Sequence, residues 1–234
     1  MITTIFFDLD GTLLPMDQDA FIRAYMGGLA KKMAPHGYDP ELLLSAIWQG
    51  TGAMVRNNSP MGNEDIFWQA FSAAYGRDLR SDEGLFLDFY QNEFQTFAAN
   101  CGFDPRAGET IRTLQGMGFR LVLATNPLFP AIATHSRIRW AGLSPEDFTL
   151  VTTYENSSRC KPNPDYYREI LDKLGLKAEE CLMVGNDVTE DMIAETLGMK
   201  VFLLTDCLIN KHGKDISPYP HGSFPELLTF LRSL

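Results

Sequence analysis

The chain has 234 residues, 45% hydrophobic and 21% charged, enough for one large domain or a core carrying a smaller inserted one. Twenty basic against thirty acidic residues give a formal net charge of -10, which argues against nucleic-acid or anionic-membrane partners. No apolar run approaches a membrane span and no leader-like segment precedes the first strand, so a cytoplasmic protein is expected. Cys101, Cys160, Cys181 and Cys207 lack C-x-x-C spacing and read as reduced, packed thiols.

In chain order, residues 5–7 are a short apolar run of the kind buried in a parallel strand, and they end in Asp8-Leu9-Asp10-Gly11-Thr12. The next convincing strand, residues 119–125, lies roughly a hundred residues on, far more than one crossover helix needs. The intervening stretch predicts helices over 17–33, 40–55, 64–75 and 83–98, each with aromatic or aliphatic residues at helical spacing. Gly and Pro clusters separate them. Four amphipathic helices in one block predict a helical cap over 16–100, inserted into a catalytic core formed by 1–15 and 101–234.

From residue 104 onward helices and strands alternate. Helices are expected over 106–117, 131–140, 164–174, 187–197 and 224–231, and strands over 148–152, 181–184 and 200–204. That order predicts an α/β fold, a Rossmann-like doubly wound parallel sheet with right-handed crossovers. Ligands of such sheets bind beyond the carboxyl ends of the strands.

The strand ends carry the chemistry. The first presents Asp8 and Asp10, the second Thr125-Asn126, and the strand at 181–184 runs into Gly185-Asn186-Asp187, with Asp191 four residues on. Lys161-Pro162 precedes the helix at 164. Taken singly, each has an ordinary explanation as a turn residue, a solvated charge or a helix-end carboxylate. Together they gather acids, a hydroxyl, an amide and an ammonium at one edge of the sheet. Clustered carboxylates repel unless a cation relieves them, and oxygen ligands favour magnesium. A carboxylate can attack phosphorus, and hydroxyl, amide and ammonium groups can hold the phosphoryl oxygens.

These four blocks, D-L-D-G-T at 8–12, Thr125-Asn126, Lys161-Pro162 and Gly185-Asn186-Asp187 with Asp191, resemble the motifs of the haloacid dehalogenase superfamily. The resemblance spans essentially the whole chain and implies a magnesium-dependent phosphatase acting on a small phosphorylated metabolite. It casts Asp8 as nucleophile and Asp10 as general acid/base, with the Asp10 carbonyl also reaching the metal. Lys161 would hold the Asp8 carboxylate and the phosphate charge, and Gly11, Thr125 and Asn126 would bind substrate. The family usually carries an acid after the glycine of the fourth motif; here it is Asn186. Asp187 is the expected metal ligand with Asn186 the alternative, and Asp191 is expected to position Lys161. A sugar phosphomutase of the same superfamily is the main alternative, and a non-catalytic regulator on this scaffold a weaker one. Dehalogenation is disfavoured, because it does not use the acid/base that Asp10 supplies. A monomer or homodimer is expected.

Overall fold

The computed structural model describes residues 1–234 and contains one sheet of six parallel strands in the order β3-β2-β1-β4-β5-β6. The strands are β1 (Thr4–Phe7), β2 (Arg120–Leu123), β3 (Leu150–Val151), β4 (Cys181–Gly185), β5 (Lys200–Leu204) and β6 (His221–Gly222). This is the doubly wound α/β architecture expected from the alternating pattern.

β1 has no polar face, because both of its faces are covered. Ile5 and Phe7 pack in one layer with Leu123, Val184, Ile111 of α5 (Pro105–Gly116) and Leu227 of α8 (Phe224–Arg232). Phe6 turns to the opposite layer, against Met183, Val201 and Tyr167 of α7 (Pro164–Leu174). Asp104 and Asn163 accept from backbone amides at the starts of α5 and α7, each followed by a proline in the first turn. α6 (Ala131–Trp140) leads from the β2 end of the sheet toward β3.

Between β1 and α5 stands a helical block of α1 (Gln18–Met33), α2 (Pro40–Val55), α3 (Asn63–Tyr75) and α4 (Glu83–Gln91). Phe21, Tyr25, Leu43, Phe71, Phe89 and Phe94 anchor an apolar cluster of its own. Aromatic contacts carry this cluster onto the sheet's helices. Phe94 stacks on Trp140 of α6 with ring centroids 5.1 Å apart, and Tyr25 lies 5.4 Å from Phe129.

Three expected elements differ from those observed. The helix over 83–98 stops at Gln91, and Glu93–Asn100 continues as a 3-10 helix. At the break, Asn92 donates from its side chain to the Asp88 carbonyl at 3.0 Å and carboxylate at 2.8 Å, an alternative to continued α-helical bonding. The helix over 187–197 shrinks to a 3-10 helix, Met192–Leu197. Asp187 Oδ1 accepts from the amides of Thr189 and Glu190, and Asp191 Oδ2 accepts from the Asp187 amide, so side chains hold this turn. The strand over 148–152 keeps only Leu150–Val151, and β6, too short to leave an apolar run, was not expected.

The α2–α3 connection is pinned to the sheet side. Asn57 Nδ2 donates to the Ser158 carbonyl at 3.0 Å, Asn63 Nδ2 to the Arg159 carbonyl at 3.2 Å, and Arg159 to the Ser59 carbonyl at 2.8 Å. The Asn63 and Glu64 amides reach the Ser157 and Tyr154 carbonyls. Because Asn63 is fully buried, Asn63→Ala leaves its partners without donors and without water. A loss of about 1–3 kcal/mol is expected, read as a lower urea midpoint at unchanged m-value.

Candidate active site

β1 sits where the strand order reverses: the chain goes from it to β2 and β3 on one side, then returns to β4 on the other. Such a reversal opens a crevice at the carboxyl ends of the neighbouring strands. The Asp8 amide still donates to the Val184 carbonyl at 2.9 Å, so its side chain leaves the sheet at a position fixed by strand pairing. Gly11 then takes φ +84°, and a Cβ there would lie 2.3 Å from Asn186 Nδ2. Both the backbone angle and the close approach require glycine. Gly11→Ala should lower the melting temperature and weaken turnover about tenfold or more, since displacing Asn186 disturbs the ring around Asp8. Parallel thermal melts and phosphate-release assays check both effects.

A pocket with no hydrophobic residue in its lining opens at this edge. Asp8, Asp10, Thr125, Asn126, Asn186, Asp187 and Asp191 all line it, joined by Gln18, Glu190 and Lys211. The sequence blocks therefore converge in space. Lys161 is 1% exposed, with Nζ donating to Asp8 Oδ1 at 2.8 Å and to Asp191 Oδ1 at 2.6 Å. Burial disfavours its ammonium, but the Asp191 and Asp8 carboxylates outweigh that and hold its pKa well above the ordinary lysine value. Burial pushes the Asp191 carboxyl up, against the pull of Lys161. Asp191 also accepts the Asp187 amide through Oδ2, and a Cβ on Gly185 would strike its carboxylate.

Thr125 Oγ1 makes no hydrogen bond within the protein, while the Thr125 carbonyl accepts from Thr152 and Tyr166. Its backbone is held and its hydroxyl is free. Asn126 is used differently. Its Oδ1 accepts the Lys161 amide at 3.2 Å and its Nδ2 donates to Glu190 at 3.0 Å, so its side chain braces the lysine segment. Thr12 Oγ1 lies 3.2 Å from Asp8 Oδ2 and 3.0 Å from Asn186 Oδ1, which brings the Asn186 amide oxygen beside Asp8. Asp187 has Oδ1 committed to two backbone amides.

Asp10 has an unanticipated partner. Arg137 of α6, 1% exposed, pairs with Asp10 Oδ2 and lies over the Phe129 ring, 4.3 Å from its centroid. Asp10 Oδ1 is buried without a partner. Burial raises the Asp10 pKa, opposed first by Arg137. In the sequence Arg137 looks like Arg139 two positions on, and only the fold separates the buried guanidinium from the other. Glu190 was missed as well. It sits beside Asp191 in a turn that the helical reading misassigned, and burial raises its pKa. Thr12 stood in the first motif without a role.

The donor set around Asp8 is all oxygen: the Asp8 carboxylate, the Asp10 carbonyl, Asn186 Oδ1 and the Asp187 carboxylate. Hard, partly anionic oxygen donors fit a magnesium ion and offer nothing to a soft metal.

The family model described as haloacid dehalogenase-like hydrolase matches residues 2–194. The chain belongs to that family, and it is an enzyme, a hydrolase. A phosphoglycolate phosphatase of Colwellia psychrerythraea is 25% identical over 232 residues, covering 97% of this chain and 96% of its own. One of Rhodospirillum rubrum is 30% identical over 214 residues, 86% of this chain and 78% of its own. A crystal structure of a HAD phosphatase from Thermococcus onnurineus superposes with a TM-score of 0.58 at 20% identity, covering 98% of both chains. Like these relatives, the chain is of the phosphoric monoester hydrolase type. No helix is long and apolar enough to cross a membrane.

Proposed function

We propose that this chain is a magnesium-dependent phosphatase that hydrolyses a small phosphorylated metabolite through an aspartyl-phosphate. The observation that carries the reading is the buried Lys161 ammonium joining Asp8 to Asp191, two acids that line a wholly polar pocket. An Asp8 oxygen attacks phosphorus, the ester P–O bond breaks, and the departing alcohol takes a proton from Asp10. Water then attacks the aspartyl-phosphate, gives its proton to Asp10, and releases inorganic phosphate and the Asp8 carboxylate. Asp10 Oδ1, which has no partner within the protein, is the atom left to carry that proton.

Lys161 and the free Thr125 hydroxyl would hold the phosphoryl oxygens, Gly11 would let the backbone approach them, and Asn126 would act by fixing Lys161. Asp8, the Asp10 carbonyl, Asn186 and Asp187 would hold magnesium, which neutralises phosphoryl charge when bound. Asp191 would position Lys161. We assign residues 16–100 as a cap over a core of 1–15 and 101–234, closing on the substrate and excluding water. The four unpaired cysteines suit a reducing cytoplasm, with the chain working as a monomer or homodimer. Phosphoglycolate, the substrate in the names of two relatives, belongs in the panel that tests this reading.

The test is a panel of phosphomonoesters assayed with magnesium and with EDTA. Release of inorganic phosphate that EDTA abolishes is expected. An isomerised sugar phosphate without release would make the chain a mutase. Silence across the whole panel would point to a non-catalytic regulator.

A further inference from the structure

A second, larger cavity lies against the polar pocket, between the helical block and the loop after β2. About 100 Å³ of it is open to the centre of a water molecule, and 14 of its 17 lining residues are hydrophobic. One water needs about 10–15 Å³ of such space, so the cavity has room for more than water, and its lining has the mostly apolar character of small-molecule sites. Trp48, 52% exposed, and Leu87, 38% exposed, are part of the lining, so the cavity reaches the surface.

The two cavities share one wall. Thr125 and Asn126 line the polar pocket, while Leu128, Phe129 and Pro130, the next turn of the same loop, line the apolar one. Between them Phe129 carries the Arg137 guanidinium on its face, and Arg137 holds Asp10. A general acid must stand within hydrogen-bond reach of the oxygen it protonates. In a phosphomonoester attacked by Asp8, the leaving oxygen therefore lies on the Asp10 side, and the carbon chain continues from it. That is the side on which Phe129 and the apolar cavity stand.

We propose that the apolar cavity receives the leaving group, and that the substrate is a phosphomonoester of an aromatic or branched aliphatic alcohol. The inference rests on the phosphatase reading and goes beyond it. A small anionic leaving group such as glycolate would leave the cavity unfilled and would meet no cation among its lining residues. An aryl or branched alkyl chain would remove apolar surface from water on both partners.

Two esters with similar leaving oxygens test this: 2-phenylethyl phosphate and 2-hydroxyethyl phosphate, each with magnesium. The expected kcat/KM ratio is at least about tenfold in favour of the phenyl ester, expressed in KM more than in kcat. Thr51→Arg and Leu87→Arg, at partly exposed lining positions, should each reduce that ratio toward one while keeping the wild-type melting curve. Equal kcat/KM for the two esters would overturn the proposal and leave the phosphatase reading intact. If neither these esters nor any member of the phosphomonoester panel is turned over, the phosphatase reading fails, and binding of 2-phenylethanol decides the cavity's role. Saturable quenching of Trp48 and Trp68 fluorescence, lost in Leu87→Arg, supports an apolar-ligand site; unchanged fluorescence overturns it. Sedimentation showing a dimer that Leu87→Arg dissociates would assign the surface to a second copy of the chain and also overturn the proposal.

Discussion

Asp8→Asn is expected to lower phosphate release by on the order of 10³-fold or more while the protein stays folded. The amide oxygen can still accept from Lys161, and the NH2 that replaces Oδ2 can donate to the Thr12 hydroxyl, so both partners of Asp8 stay engaged. What disappears is the anionic oxygen that would bond to phosphorus. The substitution also removes one of the carboxylates that raise the Asp10 and Asp191 pKa values, so the charge balance of the folded state is not worsened on that side. Steady-state kinetics and a thermal melt on the same preparation give both readouts. Wild-type turnover by a folded Asp8→Asn protein would sink the covalent mechanism.

Lys161→Met carries the second large effect, and here stability moves with activity. The wild-type ammonium is sealed between two carboxylates, and Asp191 is itself 1% exposed. Removing it leaves two acids facing each other without a cation, a situation that typically costs about 3–5 kcal/mol. Turnover should fall at least a hundredfold, because the charge that would meet the phosphoryl group is gone. Adding Asp191→Asn to Lys161→Met separates the two losses: stability should partly return, because one unpaired carboxylate is removed, while turnover should not. Urea unfolding and phosphate release on the single and double variants measure this. A double variant that regained activity would show that Lys161 serves the fold alone.

The fold was legible from chain order, because the central strands are short apolar runs covered on both faces and two of the helices between strands, α5 and α7, begin at Asp-Pro and Asn-Pro pairs. The convergence of Asp8, Thr125, Lys161 and Asp191 was legible too, because strand ends in a parallel sheet point to one edge. What escaped the sequence depends on distance in space. Arg137 could not be told from Arg139 without knowing which side of α6 meets Phe129 and Asp10. The turn at 187–191 imitates a helix in its residue types, and only its side-chain-to-amide bonds reveal otherwise. Asn126 reads as a ligand-facing amide after a strand, yet its side chain is occupied with the backbone of Lys161 and with Glu190.

The seam at Asn57, Ser59 and Asn63 bears on how this protein can change over generations. The helical block enters and leaves the core beside Met16 and Cys101, where the Gly102 amide meets the Pro15 carbonyl. Two adjoining strands alone would make the block an exchangeable module, free to be replaced from another member of the family. The third attachment ends on residues 154–160, the stretch that runs directly into Lys161. A transplanted block would bring its own α2–α3 connection to a loop that expects these asparagines, and the mismatch would fall one residue from the ammonium. A working transplant would therefore have to carry the block and the lysine loop together.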